Sequence, residues 1–234
     1  LLMHLTRLGL DLRPELRNSA VQTLLRTVSL NGTKLRGHWR CIFDEILFEF
    51  MSKLRQTAAQ SRVTMSDSEK PSNDAQESSK IIPLGFTHFS RDTESKQWDE
   101  TECTVMIGVS SLILSRFKGD EGFRIDFPEL PEYWRKFLSL LKDYALLRSG
   151  SVEICSVSID CLYRFGCGLK DLHNAESRSE FAMDLWKIWI AVGGSMRASI
   201  PFFTQECLLK YLKMFTNLLG DCRCDDDWLR ESLN

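Results

Sequence analysis

Leu16, Ala20, Leu24 and Val28 recur at four-residue steps, and Leu25 widens the stripe they make. That spacing predicts an amphipathic helix, with Pro14 in its first turn and Asn31-Gly32 closing its far end. Trp39, Ile42, Phe43, Ile46, Leu47, Phe50 and Leu54 put a broad apolar face on a second helix. The link between the two is short enough to predict an antiparallel hairpin, so residues 1–55 read as the first helical hairpin. From 56 to 96 the chain turns to Ser, Asp, Glu, Gln and Asn around Pro71, with no sustained period, and is expected to be a disordered acidic, Ser-rich insertion. Its apolar island, Ile81 to Phe89, is expected to dock back on the helices.

Helical periodicity resumes near Trp98 and runs through Val105, Val109, Leu112, Ile113 and Phe117 until Gly119 and Gly122. Pro131 opens another helix carrying Trp134, Phe137, Leu138, Leu141, Tyr144 and Ala145 on one face. Further helices are expected from Val152 to Phe165, ended by Gly166 and Gly168, from Glu176 to Val192, ended by Gly193-Gly194, and from Pro201 to Leu219, with a short last one near Trp228. Residues 97–234 thus read as a continuing array. Two segments match position by position in apolar, small and basic residues: Leu16 to Arg26 and Ile154 to Arg164. Internal repetition of this kind predicts an all-α fold, an α-solenoid of HEAT/armadillo-like helical hairpins with about eight helices, in which each hairpin buries its neighbour's face. A globular helical bundle is the alternative.

Composition narrows the class. At 234 residues and 43% hydrophobic content the chain can bury a sizeable core. A formal charge of −2 and a pI near 6.1 argue against a nucleic-acid partner, which needs a net basic face. The apolar runs are too short to span a bilayer, and the start lacks the features of a signal peptide. It also lacks an initiator Met and opens on a helical pattern already under way, which reads as a segment of a longer protein. Of eight cysteines, Cys41, Cys103, Cys155, Cys161 and Cys207 lie on apolar helical patterns and are expected to be buried thiols in a reducing compartment.

Chemistry is sparse. Neither a phosphate loop nor HExxH, a nucleophile elbow or a kinase signature is present, and the four histidines are scattered. Cys222-x-Cys224 lacks the partners of a zinc site, and Asp225-Asp226-Asp227 suits a helix start better than a cation. No enzyme, cofactor or metal is expected. Charge is more informative: residues 1–56 hold nine Lys/Arg against five Asp/Glu, and residues 57–102 hold five against nine. Arg13, Lys34, Arg36 and Arg40, with Arg17 beside them, cluster near the hairpin's loops and are the candidate contact with anionic lipid or an acidic partner. A solvated face with a structural Arg17 is the competing reading.

Asp11-Leu12-Arg13-Pro14-Glu15-Leu16-Arg17-Asn18-Ser19-Ala20-Val21-Gln22-Thr23-Leu24 resembles the second helix of a HEAT repeat and, more narrowly, the Mon-two (monensin sensitivity) family. Lys96-Gln97-Trp98-Asp99-Glu100-Thr101, opening a helix after a long insertion, is similar to a second landmark of that family. The two motifs together make up 20 of the 234 residues. It implies a non-catalytic helical scaffold related to the large Arf exchange factors but without their exchange domain. Such a protein is cytoplasmic and peripheral on trans-Golgi and endosome membranes, and acts in endosome-to-Golgi transport. Its implied partners are a Dopey-type scaffold and an Arf-like small GTPase. A regulatory helical region of a true Arf exchange factor is the alternative.

Overall fold

The computed structural model describes residues 1–32, 34, 35, 37–68, 93–117, 129–147, 151–172, 174–196 and 204–221. Over these residues the fold is all-helical. Helices α1 (Leu2–Leu8) and α2 (Pro14–Leu30) are followed by α3, a continuous helical run over residues 39–68. Within α3, a π-helical stretch (Ile42–Phe48) joins a first turn (Trp39–Cys41) to an α-helix (Glu49–Ser68). There follow α4 (Glu94–Phe117), α5 (Leu130–Ala145), α6 (Val152–Gly168), α7 (Ala175–Met196) and α8 (Gln205–Asp221).

Consecutive helices pair as α1/α2, α3/α4, α5/α6 and α7/α8, and the pairs stack side by side. The second members, α2, α4, α6 and α8, pack in that order into one row. The first members form the other row: α1 meets the π stretch of α3, rings of α3 meet α5, and α5 packs on α7. This is an α-solenoid, in which every hairpin covers the apolar face of the next. One continuous core results, with Trp39, Trp98, Trp134 and Trp186 each at most 1% exposed. Ala20 and Ser158, the matched small residues of the two similar segments, are both buried in the row of second helices.

Three expectations need correction. The hairpin register is shifted by one helix: α2 pairs back on the short α1 and sideways on α4, while α3 pairs forward with α4. Residues 1–55 therefore do not form a single hairpin. The helices also reach further into residues 56–96 than the composition implied. Helix α3 continues to Ser68, with Ala58 and Ser61 buried, and α4 begins at Glu94; residues 69–92, including the apolar island, lie outside the described residues. Finally, Cys41 is exposed rather than buried.

The glycines expected to end helices lie inside them. Gly166 and Gly168 are within α6, and Gly193 and Gly194 within α7. The reason at Gly193 is close approach: a Cβ there would lie 2.0 Å from Tyr211 Oη. Tyr211 cannot simply swing away, because its hydroxyl donates to the Trp189 carbonyl at 2.9 Å and its ring stacks on Trp189 at 4.8 Å between centroids. Trp189 Nε1 in turn donates to the Tyr211 carbonyl at 3.0 Å. Gly193→Ala is expected to cost ~1–3 kcal/mol by overpacking, outweighing the ~1 kcal/mol gained from helix propensity. In a Tyr211→Phe background the same change should be close to neutral. Urea unfolding of the four proteins checks both statements.

Candidate functional site

The first two turns of α4 are where the chain's polar side chains converge. Trp98 turns toward α2, and the Arg17 guanidinium lies 3.8 Å above the centre of its ring. A cation over an indole face is attracted by the ring quadrupole, and more strongly when water is excluded. Arg17 is 1% exposed. Its Nε donates to Thr101 Oγ1 at 2.9 Å, and its Nη1 donates to the carbonyls of Asp11 at 2.9 Å and Leu12 at 3.3 Å. Thr101, whose hydroxyl oxygen accepts from Arg17, donates to Asn18 Oδ1 at 2.8 Å. Burial draws the Arg17 pKa below its usual value, against the attraction of Glu94, Asp11 and nearby carboxylates. Arg17, the possible structural arginine, is thus the pin between α2 and α4.

Asp99 and Glu102 engage α3 instead. Arg62 Nη2 donates to Asp99 Oδ1 and to Glu102 Oε2, both at 2.5 Å, and Glu102 Oε1 accepts from the Tyr144 hydroxyl of α5 at 3.0 Å. The side chains of Arg62, Asp99 and Glu102 are 8%, 6% and 0% exposed. Burial opposes the Arg62 charge, yet Glu102 and Asp99 hold its pKa above the ordinary value. Burial pushes the Glu102 carboxyl up from 4.5, against the pull of Arg62 and the Tyr144 hydrogen bond. Arg62 fell inside the stretch read as insertion; with buried Ala58 at i−4, a helix continuing α3 was the signal that would have found it.

A pH dependence follows. Because the folded-state pKa of Glu102 lies above its unfolded value of 4.5, the folded chain binds the proton more tightly between those two values. Raising pH through that window therefore removes stability, and Glu102→Gln removes this contribution. Urea midpoints of the two proteins measured from pH 4.5 upward should differ in slope, the parent falling relative to the variant. Parallel curves would refute this.

The structure places three of the four candidate contact residues, and it places them at two sites. Arg13 precedes α2 and forms a two-pronged bond with Asp11, Nε to Oδ1 at 2.9 Å and Nη2 to Oδ2 at 3.0 Å, which holds the Asp11 carboxyl at about 2. Lys34 and Arg40 are exposed beyond the opposite end of α2, ~25 Å away by the helix rise over its length. Arg36 lies outside the described residues. The single basic edge is thus not assembled as the sequence suggested, because Arg13 is set apart by the length of a helix. The structure adds Lys136 of α5, half-exposed, which with Arg40 flanks Asp44. The Tyr133 hydroxyl, its bond to Asp44 Oδ2 2.6 Å long, and the Lys136 and Arg40 charges hold the Asp44 carboxyl low. Among the described residues no group of three or more His, Cys, Asp or Glu is placed to hold a metal ion, and no helix is long and apolar enough to cross a membrane.

A family profile described as the C-terminal region of Mon2 protein matches residues 1–215. The chain belongs to the Mon2 family. Its relatives include the Protein MON2 homolog of Drosophila melanogaster, 27% identical over 198 residues that make up 81% of this chain and 11% of the relative. The Xenopus laevis homolog is 28% identical over 65% of this chain and 8% of its own length, and the Homo sapiens homolog 32% over 48% and 6%. The chain spans about a tenth of the length of the curated relatives it matches. No solved structure matches. Within this Mon2-family chain the two sequence landmarks, residues 11–24 and 96–101, are the halves of one joint: Arg17 and Asn18 come from the first, Trp98 and Thr101 from the second.

Proposed function

We propose that the chain is a non-catalytic scaffold segment of a trafficking protein, holding protein partners on its helical rows in endosome-to-Golgi transport. Membership of the Mon2 family over residues 1–215 carries this reading. The architecture supports it, since a solenoid offers long surfaces from rigid repeats. The partner classes we propose are a Dopey-type scaffold and an Arf-like small GTPase, met at trans-Golgi and endosome membranes on their cytoplasmic side. Lys34, Arg36 and Arg40 are the proposed contact with anionic lipid headgroups. Arg13, already paired with Asp11, contributes least.

The cellular test deletes this region from the parent protein and follows retrieval of an endosome-to-Golgi cargo together with co-capture of the Dopey-type protein. Normal retrieval and capture would sink the scaffold reading. For the lipid contact, each cation near an anionic surface contributes ~1 kcal/mol before screening, and the effect fades beyond a Debye length. Lys34→Glu, Arg36→Glu and Arg40→Glu together are expected to weaken binding to phosphatidylserine vesicles by at least tenfold at low salt, and Arg13→Glu alone by much less. Vesicle sedimentation across a salt series measures this.

A further inference from the structure

A groove of about 400 Å³ crosses the row of second helices, from α2 over the start of α4 to the start of α6. Asn18 and Gln22 of α2 form one wall, Cys103 and Val157 contribute apolar surface, and Glu100 and Glu153 line it from α4 and α6. It is distinct from the basic residues proposed for lipid.

Three observations bear on what would occupy it. Asn18 Oδ1 lies 2.8 Å from the Thr101 hydroxyl, which also lies 3.0 Å from the Gln97 carbonyl, and with Oδ1 turned to Thr101 the Asn18 amide nitrogen is the atom left to serve a ligand. That nitrogen is a donor, held in place by the Arg17–Thr101 joint, and suits a peptide carbonyl. The groove's charge is negative: Asp99, Glu100 and Glu153 line it against Lys96, and Asp99 is spent on Arg62 while Glu100 and Glu153 have no ion pair among the described residues. Cys103, in the same groove, has its thiol pushed up to about 12 by burial first and then by Asp99, Glu102, Cys161 and Glu153. Finally, the groove runs across several helices rather than along one, a shape that suits an extended segment.

We propose that this groove binds an extended peptide segment of a protein partner, with a Lys or Arg side chain between Glu100 and Glu153 and a backbone carbonyl accepting from Asn18 Nδ2. The proposal rests on the scaffold reading above and names the chemistry of one partner. An acidic or phosphorylated segment is disfavoured by the same carboxylates.

The test uses the purified 234-residue chain, immobilised, and pools of random octapeptides with a fixed central Lys, Arg, Gln or Glu. The Lys and Arg pools should be retained at least fivefold over the Glu pool at 150 mM salt. Glu100→Gln with Glu153→Gln should bring that ratio close to one. A control pair on α5 and α7, Glu132→Gln with Glu176→Gln, makes the same change in net charge and should leave the ratio intact. Val157→Trp, which fills the groove from a partly exposed position, should reduce retention of the Lys and Arg pools. Circular dichroism confirms folding of each variant. Equal retention of all pools, loss of the ratio in the control pair, or full retention by Val157→Trp would overturn the proposal. Failure here with defective cargo retrieval after deletion of the region in cells would remove the peptide groove and leave the scaffold reading standing.

Discussion

Arg62→Met is expected to destabilise the array by ~3–5 kcal/mol, the cost of leaving buried charge without its partner. Two carboxylates meet this one guanidinium, and neither has much access to water: the side chains of Asp99 and Glu102 are 6% and 0% exposed. Methionine fills similar space along the side-chain stem but supplies no charge, so packing loss is a small part of the effect. The joint is also long-range, tying α3 to α4 while Tyr144 ties the same Glu102 to α5. Adding Asp99→Asn and Glu102→Gln to Arg62→Met should recover part of the loss, because the stranded charges disappear with the cation. Guanidinium unfolding of the single and triple variants decides the matter. A loss below ~1 kcal/mol for Arg62→Met would mean that water reaches the cluster.

The same residue shows where sequence reading stopped. The alternation of apolar positions identified the helices between Pro14 and Leu30, Trp39 and Leu54, and Leu130 and Ala145, since a 3.6-residue period leaves a visible stripe. Residues 56–68 leave almost none. Over residues 56–62 the burial rests on Ala58, Ser61 and the stem of Arg62, small or polar side chains that leave no stripe in a hydrophobic pattern. Gly193 misled for a related reason. Glycine marks a helix end when its backbone freedom is in use, but here it is the missing Cβ that matters, because Tyr211 lies against the helix at that point. Pairing of helices was hidden as well. A short link makes α2 and α3 neighbours in sequence, yet the apolar face of α2 is shared between α1 and α4, and a stripe does not say which partner covers it.

The candidate contact residues were legible as a charge excess but not as a place. Arg13 and Lys34 are 21 positions apart, and the helix between them sets their separation whatever their charge. The aspartate that neutralises Arg13 stands two residues before it, a local pairing visible in sequence. Lys136, which joins Arg40 at Asp44 from another helix, was beyond reach without the fold.

Trp98→Ala should cost ~3–5 kcal/mol, the usual range for emptying a buried indole site. The site is also polar, and that part can be separated. Trp98 is 1% exposed and covers the Arg17 guanidinium, so its loss creates a cavity and removes the ring that faces a buried cation. Arg17→Met removes the cation together with its bonds to Thr101 and to the Asp11 and Leu12 carbonyls, and is expected to cost ~2–4 kcal/mol on its own, from lost charged hydrogen bonds and the acceptors left behind. If the cation–π contact holds the joint, the double variant should be less destabilised than the sum of the singles by ~1–2 kcal/mol. An additive cycle would mean that Trp98 serves only to fill space. The consequence reaches the groove, because Arg17 orients Thr101 and Thr101 orients Asn18. A Trp98→Phe variant, which keeps an aromatic face over Arg17 in less volume, should therefore preserve most of the peptide retention, whereas Arg17→Met should lower retention of every pool alike, because Asn18 serves the peptide backbone, and leave the Lys-over-Glu ratio set by Glu100 and Glu153, even where circular dichroism shows the helices intact.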